Sequence, residues 1–540
     1  MVVRSVPANP CPPITAALVS TLGVRVQEAI VSGVLSIVIV GEVEMRSRVV
    51  VTGGLVGMPA GRWSRKSRLV AVVIGVGLLA GFAAFGGTAP RALGATAKPL
   101  TVVSLTFDDT FSDQLNALAS MSKYKVVGTF YMNSGRVGAG GFLTVADLKN
   151  IAAAGNEIGG HTVSHPDLPT LTVDEQKRQI CNDRVNLTNW GFKVTSFAYP
   201  FASSNAQTEQ LVAGCGYNSA RMLGDIKSRF GCPDCDYASP TPPDDPYATQ
   251  ALDEADNTWT LKDLQDSVTN AETAGGWVQL TFHHVCPNNC DSLSVSTTIF
   301  DQFTSWLAAR ATTGNTHTET VGQVIGGTVK PLVNGPAVPA AGPGQNGVVN
   351  PGLETTAASG VPSCWTLGGY GNNTAAFAAT TPTHSGVKAE KLTMTNYVDG
   401  DGKLLPTLDL GACAPTVTAG HTYSLRTWYN STAVTQFAVY LRSSLGTWRY
   451  WTSSPWFPAT TAYTQALWTT PAIPADMTGI SFGLNLFRNG TLTTDDYALY
   501  DTVGAPAIAG PATAAATPRT APPVTGRVEI APPGDATPPK

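Results

Sequence analysis

The chain has 540 residues, of which 13% are charged, and its formal net charge is −4 with a pI near 6.0. This length is too great for one ordinary domain, so about two or three domains are expected. The chain has no basic patch, which argues against a nucleic-acid partner. Its 54 glycines and 38 prolines follow no period, as is typical of loop-rich secreted domains joined by linkers.

Residues 1–97 predict a leader sequence. Residues 69–85 are an uninterrupted apolar run, and residues 95–97 offer a cleavage site of small residues. Positive charges precede the run at Arg62, Arg65, Lys66 and Arg68. This is typical of a secretory signal peptide, or of a signal anchor if it stays uncut, so we predict a secreted or cell-surface protein that touches the membrane only through an uncleaved leader. We expect translation to start at Met45 or Met58, and N-terminal peptides from upstream of Met45 would contradict this.

Strands alternate with helices between residues 98 and 327. Apolar, β-branched runs predict strands at 100–107, 126–132, 195–200 and 277–285. Capping residues and apolar periodicity predict helices at 144–154, 172–190, 208–213, 261–274 and 297–310. Such alternation indicates parallel strands covered by helices. The predicted fold class is therefore α/β, a distorted (β/α)7 barrel with its chemistry at the carboxyl ends of the strands.

Polar residues follow several of these strands. Asp108 and Asp109 end the first, His161 and His165 follow a later apolar stretch, and His283 ends the strand near 280. Charge at the end of a buried strand is costly unless it is paired or metal-bound. One carboxylate with two histidines is a common open site for a divalent metal, and two histidines four apart share a face where the backbone turns helically. An Asp-Asp pair alone is more often a cap or a turn, but the shared strand ends favour one site.

Four motifs carry a family resemblance. Thr106–Asp109, His161–His165, Ala198–Phe201 and Leu280–His283 occur in the order seen in polysaccharide deacetylases, the NodB-homology group or carbohydrate esterase family 4. The resemblance covers about residues 98–327. It implies a barrel that hydrolyses N-acetyl or O-acetyl groups of cell-wall or extracellular glycans with a divalent metal, which is zinc, cobalt or another ion.

The resemblance also assigns roles to single residues. It implies that Asp109, His161 and His165 bind the metal, and that Asp108 is the general base. A bound metal lowers the pKa of water, so a neighbouring carboxylate can take its proton as the water attacks the acetyl carbonyl.

His283 resembles the general acid that protonates the leaving amine or alcohol, and His284 is the alternative candidate for that role. The backbone N–H of Phe201, next to Pro200, is expected to stabilise the oxyanion.

Two departures from the family pattern stand out. The third motif usually opens with an arginine that orients the base, whereas this chain has Ala198, a version that also occurs in one branch of the family. The motif that orients the acid histidine is not clear either. Asp256 and Trp259 are candidates for it, and capping of a loop is the alternative.

The chain has nine cysteines. Cys11 stands apart, and eight follow at Cys181, Cys215, Cys232, Cys235, Cys286, Cys290, Cys364 and Cys413. An even number in an exported region favours disulfides, although the spacing does not give their pairing. The alternative is a zinc site of four thiolates from the two closely spaced pairs.

The composition changes after residue 327. Residues 328–348 are a Pro/Gly/Ala linker, and residues 506–540 are an Ala/Pro/Thr-rich tail that should be disordered. Between them, residues 349–505 show short alternating runs typical of a β-sandwich. These runs are 388–394, 422–429, 436–443, 480–487 and 497–501. The layout resembles the all-β jelly-roll carbohydrate-binding modules appended to glycan enzymes.

Two binding features are predicted in this domain. One is a glycan platform of stacking rings formed by Trp448, Tyr450, Trp451 and Trp456, with inter-sheet core as the alternative for half of them. The other is a structural calcium held by Asn350, Glu354 and Asp501, because calcium prefers oxygen ligands.

Taken together, the sequence predicts a secreted, metal-dependent polysaccharide deacetylase, a hydrolase of non-peptide carbon–nitrogen bonds. Its expected partner is an acetylated polysaccharide, and a monomer is expected. One alternative is a catalytically weak or inactive relative that binds glycan. Another is a structural wall protein with a stabilising metal site. The sequence does not distinguish N-acetylglucosamine polymers from acetylated xylan.

Overall fold

The computed structural model describes residues 99–507 and two short antiparallel strands before them, β1 (Ile30–Val31) and β2 (Val34–Leu35). The two short strands fall in one compact unit, Met1–Ala92, and residues 99–507 in another, Leu93–Lys540. The predicted leader run 69–85 and its cleavage site lie outside the described residues, as do Cys11 and residues 508–540 of the tail. Among the helices within the described residues, none combines the length and the apolar character needed to cross a bilayer.

A curled parallel sheet forms the first domain. Its strands are β3 (Thr101–Phe107), β4 (Gly128–Met132), β5 (Glu157–Gly160), β6 (Ser196–Ala198), β7 (Ser219–Arg221), β8 (Gly276–Phe282) and β11 (Thr316–Thr318). The order is β11-β3-β4-β5-β6-β7, and β8 pairs with β3 on its own. All these pairs are parallel. Beside the sheet, β9 (His284–Cys286) and β10 (Ser294–Ser296) form a small parallel pair.

Helices follow the strands. They are α1 (Gln114–Tyr124), α2 (Val145–Ala153), α3 (Val173–Asn189), α4 (Ala206–Gly214), α5 (Leu261–Ala271), α6 (Thr297–Thr313) and α7 (Val321–Ile325). Short 3-10 turns lie at Leu168–Thr170 and Pro200–Ala202. The capping box predicted for α2 is present between Thr144 and Asp147, and Thr172 caps α3.

The predicted seven-stranded barrel is only partly regular. All seven parallel strands are present, but β7 and β8 do not pair with each other within the described sheet. The segment 239–255 fills this gap with several backbone hydrogen bonds to both strands. Thr249 N donates to Ala220 O on β7, and Leu252 N donates to Gln279 O on β8. The sheet therefore curls into a barrel that an irregular segment closes.

The core explains why β3 is apolar throughout. All seven of its residues are buried, because the strand is paired on both edges and covered on both faces. The ring of Phe107 stacks on Phe130 with centroids 4.4 Å apart and lies 5.6 Å from Phe282. Aromatic pairs of this kind contribute about 0.5–1.5 kcal/mol each beyond simple burial. This rigid centre fixes the strand ends from which the polar residues emerge.

All eight cysteines of residues 99–507 form disulfides. The pairs are Cys181–Cys215, Cys232–Cys235, Cys286–Cys290 and Cys364–Cys413. The preference for disulfides is confirmed, and the four-thiolate zinc alternative is wrong because its sulfurs are already bonded in pairs.

The second domain is a sandwich of two antiparallel sheets. One sheet has the order β12 (Trp365–Tyr370), β15 (Asp401–Pro406), β20 (Met477–Leu486), β17 (Gln436–Ser443), β18 (Trp448–Ser453). The other has the order β13 (Thr374–Thr380), β14 (Ala389–Thr395), β21 (Gly490–Asp501), β16 (Tyr423–Ser431), β19 (Thr460–Thr469). Side chains of both sheets, including Leu425, Phe437 and Phe482, share one core.

The first residues of the predicted Pro/Gly/Ala linker dock on the first domain. The buried Arg184 of α3 donates from Nη2 to Lys330 O (2.7 Å) and from Nη1 to Pro331 O (3.0 Å). Gly335 N donates to the side chain of Asn182 (2.8 Å). Residues 330–335 are thus held by backbone contacts, although their composition has no core-forming pattern.

Candidate active site

The three residues predicted to bind the catalytic metal lie together. Asp109 follows β3, and His161 follows β5. Oδ1 of Asp109 is 3.2 Å from Nε2 of His165 and 3.6 Å from Nε2 of His161. One ligand atom from each of these three residues lies within 4.8 Å of the others. Residues more than fifty positions apart thus face one point at the carboxyl end of the sheet.

The chemistry of these atoms fits a divalent metal ion. His161 Nδ1 is 2.7 Å from the carbonyl oxygen of Ala198, which only accepts, so Nδ1 carries the proton and Nε2 keeps a lone pair. Burial lowers the pKa of His161 well below its usual value and also lowers the pKa of His165, which favours neutral rings. Oδ1 of Asp109 is buried without a hydrogen-bond partner among the described residues. Two neutral imidazoles and a carboxylate suit zinc or a similar ion.

Asp109 is held in its charged form. Burial raises the pKa of this carboxyl, but His165, His161, His283 and Arg136 oppose burial and leave the pKa below its ordinary value. Nη1 of Arg136 lies 3.4 Å from Oδ1. The carboxylate is therefore ready to bind a cation.

The loop that carries the histidines is not helical, so a helical turn is not what brings the two rings together. Thr162 and His165 have φ of 70° and 63°, so the backbone leaves the helical region between the two rings. Other non-glycine residues of the site share this left-handed conformation, namely Asp109, Thr110, Phe201 and Ala202. Left-handed residues cost about 1–2 kcal/mol each, and such strain concentrates at functional sites.

Asp108 is buried beside the triad and pairs with an arginine that the sequence motifs did not indicate. Its Oδ2 accepts from Nη2 of Arg221, and its Oδ1 is buried without a hydrogen-bond partner among the described residues. Arg221 also donates to Oγ1 of Thr281 (2.8 Å), and its guanidinium lies 5.3 Å from the ring centre of Tyr131. Arg221 ends β7 and is the register partner of Ala198 on β6. An arginine thus reaches Asp108 from the strand beside Ala198, at the same level of the sheet.

The family assignment rests on a match that covers this site in part. Residues 96–220 match the family model described as polysaccharide deacetylase, and they include the triad and Asp108. By this match, residues 96–220 are assigned to the polysaccharide deacetylase family. This family membership agrees with the order of the motifs along the sequence.

Three similar proteins illustrate the relationship. The Bacillus subtilis (strain 168) protein YxkH is 28% identical over 117 residues, 21% of this chain and 42% of its own length. A chitin deacetylase of Pestalotiopsis sp is 31% identical over 121 residues, 21% of this chain and 39% of its own length. The solved peptidoglycan deacetylase PdaC of Bacillus subtilis has 21% identity, covers 42% of this chain and 90% of that chain, and has a TM-score of 0.28. The chain thus spans about two fifths of the length of the curated relatives it matches.

The two adjacent histidines of the deacetylase domain have different surroundings. His283 is buried, and its Nδ1 has no hydrogen-bond partner among the described residues. His284 pairs through Nδ1 with Oδ2 of Asp113 (2.7 Å) and stacks on Phe111 with centroids 3.8 Å apart. Burial lowers the pKa of His284, but Asp113 outweighs burial and raises it overall. Because His284 is engaged away from the triad, this geometry favours His283 over His284 as the general acid.

Asp256 forms no hydrogen bond with His283 among the described contacts. Its Oδ1 accepts from Thr258 N (2.8 Å) and Oγ1 (2.6 Å). Trp259 is buried and stacks on Phe230 with centroids 4.7 Å apart. The alternative of loop capping therefore describes this segment.

The third motif borders the triad. Pro200 is buried, whereas Phe201 is 61% exposed, with its ring centroid 4.6 Å from that of His165. Its φ of 58° turns the backbone sharply beside the metal ligands. Phe201 is therefore an exposed ring at the edge of the triad.

Two further residues of the site were missed by motif reasoning. Nε2 of the buried Gln114 donates to Asp108 O (2.5 Å) and His283 O (3.0 Å), so it joins the ends of β3 and β8. Nδ2 of Asn133 donates to His161 O (2.5 Å). Asn133 directly follows a predicted strand, and that position was an available indication of its role.

The predicted glycan platform is wrong in part. Trp448 is buried and donates from Nε1 to Asp409 O (3.1 Å), so it cannot stack on a sugar. Trp451 packs against the inter-sheet core, and Trp456 lies against Phe487 with centroids 5.6 Å apart. Only Tyr450 among the four is exposed, at 39%. The four rings do not form one surface, because Trp448 and Trp451 pack into the sandwich and Trp456 packs against Phe487.

The predicted calcium ligands are not brought together. Glu354 Oε1 accepts from Val387 N (2.8 Å) and the side chain of Asn350 bonds to Thr355 and Ser363. Asp501 instead pairs with His421 (2.6 Å). No described hydrogen bond joins any two of these three side chains, so nothing in the structure supports the calcium prediction.

Proposed function

We propose that the protein is a metal-dependent polysaccharide deacetylase that acts outside the cell on acetylated cell-wall or extracellular glycans. The observation that carries this proposal is the convergence of Asp109, His161 and His165 beside the Asp108–Arg221 pair. The leader predicted from residues 69–85 supports the extracellular location. Family membership of residues 96–220 supports the reaction class.

The chain's own groups have complementary tasks in this reaction. Asp109, His161 and His165 would hold a divalent cation, which would supply Lewis acidity toward water and the acetyl carbonyl. Arg221 fixes Oδ2 of Asp108 and leaves Oδ1 free to take the proton of the attacking water. His283 gives a proton to the leaving amine or alcohol. The backbone N–H of Phe201 is the candidate donor to the oxyanion, and one such donor contributes roughly 3 kcal/mol.

N-acetylglucosamine polymers are the first substrates to test. The matched Pestalotiopsis relative is named a chitin deacetylase, which supports an N-acetyl substrate for this chain as well. O-acetylated xylan is the second candidate, because the same attack cleaves an ester.

A weak or inactive, glycan-binding relative is the second candidate function. The observation that favours it is His283, whose Nδ1 has no partner among the described residues to orient the ring. Ala198 adds no support to this alternative, because Arg221 pairs with Asp108 from the adjacent strand.

The test measures acetate release from acetylated chito-oligosaccharide, xylan and peptidoglycan, with and without a chelator. We expect release from at least one substrate, its loss with the chelator, and its return with added zinc or cobalt. Stoichiometric metal binding without acetate from any substrate would favour the inactive relative. Release that is unchanged after complete metal removal would contradict metal dependence.

A further inference from the structure

The β-sandwich touches the deacetylase domain through the turn between β17 and β18, residues 443–447. Oγ1 of Thr447 donates to Gly135 O (2.8 Å), and Nδ2 of Asn186 donates to Leu445 O (3.1 Å). At Gly446 the contact is so close that an added Cβ would lie 2.4 Å from Cγ1 of Val163. The turn therefore rests directly on two loops of the other domain.

Both of these loops carry residues of the metal site. Val163 is buried midway between His161 and His165. Gly135 precedes Arg136, whose guanidinium lies 3.4 Å from Asp109. Gly135 N donates to Val163 O (2.9 Å), so the two loops are also joined to each other. A displacement of Val163 would therefore move the histidines on either side of it.

A second contact holds the sandwich in place. Leu410 N donates to Oε1 of the buried Glu175 on α3 (2.8 Å). Inside the sandwich, Arg442 Nη1 (2.9 Å) and Trp448 Nε1 (3.1 Å) both donate to Asp409 O, beside Leu410. Arg442 and Trp448 also flank the 443–447 turn. The turn and the 409–410 segment are thus tied together and dock as one surface.

We propose that the 443–447 turn positions the metal ligands, so that the β-sandwich is a structural part of the deacetylase site. Left-handed backbone at Thr162 and His165, neither of them a glycine, makes this loop conformation costly by itself. The turn covers Val163 between them and holds the loop in the conformation that directs both rings at Asp109. This inference rests on the proposed function only in taking the triad as a metal site.

The decisive experiment compares two glycine substitutions in the full chain. Gly446→Asn places a side chain against Val163, and Gly420→Asn places one in open space. The two glycines have similar φ, 90° and 84°, and asparagine tolerates this region, so the backbone cost is matched. We measure cobalt(II) and zinc affinity by titration, and hydrogen exchange of residues 161–165 without metal.

We expect Gly446→Asn to weaken metal affinity at least tenfold and to speed exchange in the loop, while Gly420→Asn stays within twofold of the unsubstituted protein. Equal affinity and equal exchange in both variants would overturn the proposal. If Gly446→Asn does not fold, Thr447→Val decides the question. It removes only the side-chain hydrogen bond to Gly135 and should weaken metal affinity two- to tenfold. The control is Thr461→Val, which lies exposed on β19 and should leave metal affinity unchanged.

Failure of this proposal is distinguishable from failure of the proposed function. An unsubstituted protein that binds no divalent metal would refute the metal site itself. An unsubstituted protein that binds metal and releases acetate, with a Gly446→Asn variant that binds metal equally well, would refute only the role of the turn.

Discussion

Replacing Arg221 by methionine tests the pairing at the centre of the site. Arg221 is 1% exposed and Asp108 is 2% exposed, so the substitution leaves a buried carboxylate without its cation. Breaking a buried pair in this way costs about 3–5 kcal/mol. For a domain of this size each kcal/mol lowers the melting temperature by about 2–4 °C. We therefore expect Arg221→Met to lower it by about 6–20 °C.

The assay is thermal and urea unfolding of the full chain followed by intrinsic fluorescence, with Arg229→Met as the matched control. Arg229 pairs with Asp263 but is 56% exposed, and exposed pairs contribute less than about 1 kcal/mol. A double-mutant cycle with Asp108→Asn should give a coupling of about 2–3 kcal/mol, because the two residues share one contact. If Arg221→Met destabilises no more than Arg229→Met, the pair does not organise the site.

Three further predictions concern the base, the histidine pair and the aromatic residues. Asp108→Asn should keep metal affinity within threefold in a titration but slow acetate release by roughly 10²–10⁴-fold; normal turnover would refute Asp108 as the base. The raised pKa of His284 means that its pairing with Asp113 stabilises the fold below about pH 6.5 and is lost as pH rises through that raised pKa. In urea unfolding between pH 5 and pH 8, His284→Gln should therefore remove the decrease in the free energy of unfolding that this pairing causes. Parallel pH profiles of the variant and the unsubstituted protein would contradict the pairing. Trp448→Ala should cost about 3–5 kcal/mol by denaturation, because it empties a buried site, whereas Tyr450→Ala should stay within about 0.5 kcal/mol; equal losses would contradict their different burial.

The strand ends of the site could be predicted because the local sequence pattern determines where each strand stops. Continuous apolar runs mark buried parallel strands, and the polar residue that ends such a run must lie at the edge of the sheet. Asp108 and His283 follow β3 and β8 for this reason. The conformation of the loop between His161 and His165 could not be predicted, because a spacing of four suits a helix and a loop equally.

Arg221 escaped prediction for a different reason. The strand β7 has only three residues, too few to show a periodic pattern, and nothing local reveals that Arg221 lies beside Ala198. That neighbour relationship is a property of the strand order. The burial of Trp448 could not be predicted for the same reason. An aromatic residue on an alternating strand can face either a sugar or the protein interior. The 407–414 segment that covers Trp448 follows a different strand.

The docked segment 330–335 bears on how this protein is shortened for expression. A chain truncated at residue 327 would lose the Lys330 and Pro331 carbonyls that accept two hydrogen bonds from the Arg184 guanidinium. A hydrogen bond to a charged group contributes about 1.5–3 kcal/mol, so losing two of them is enough to lower the yield of a marginal protein. A fragment designed for crystallisation or for kinetic work should therefore extend to at least residue 336.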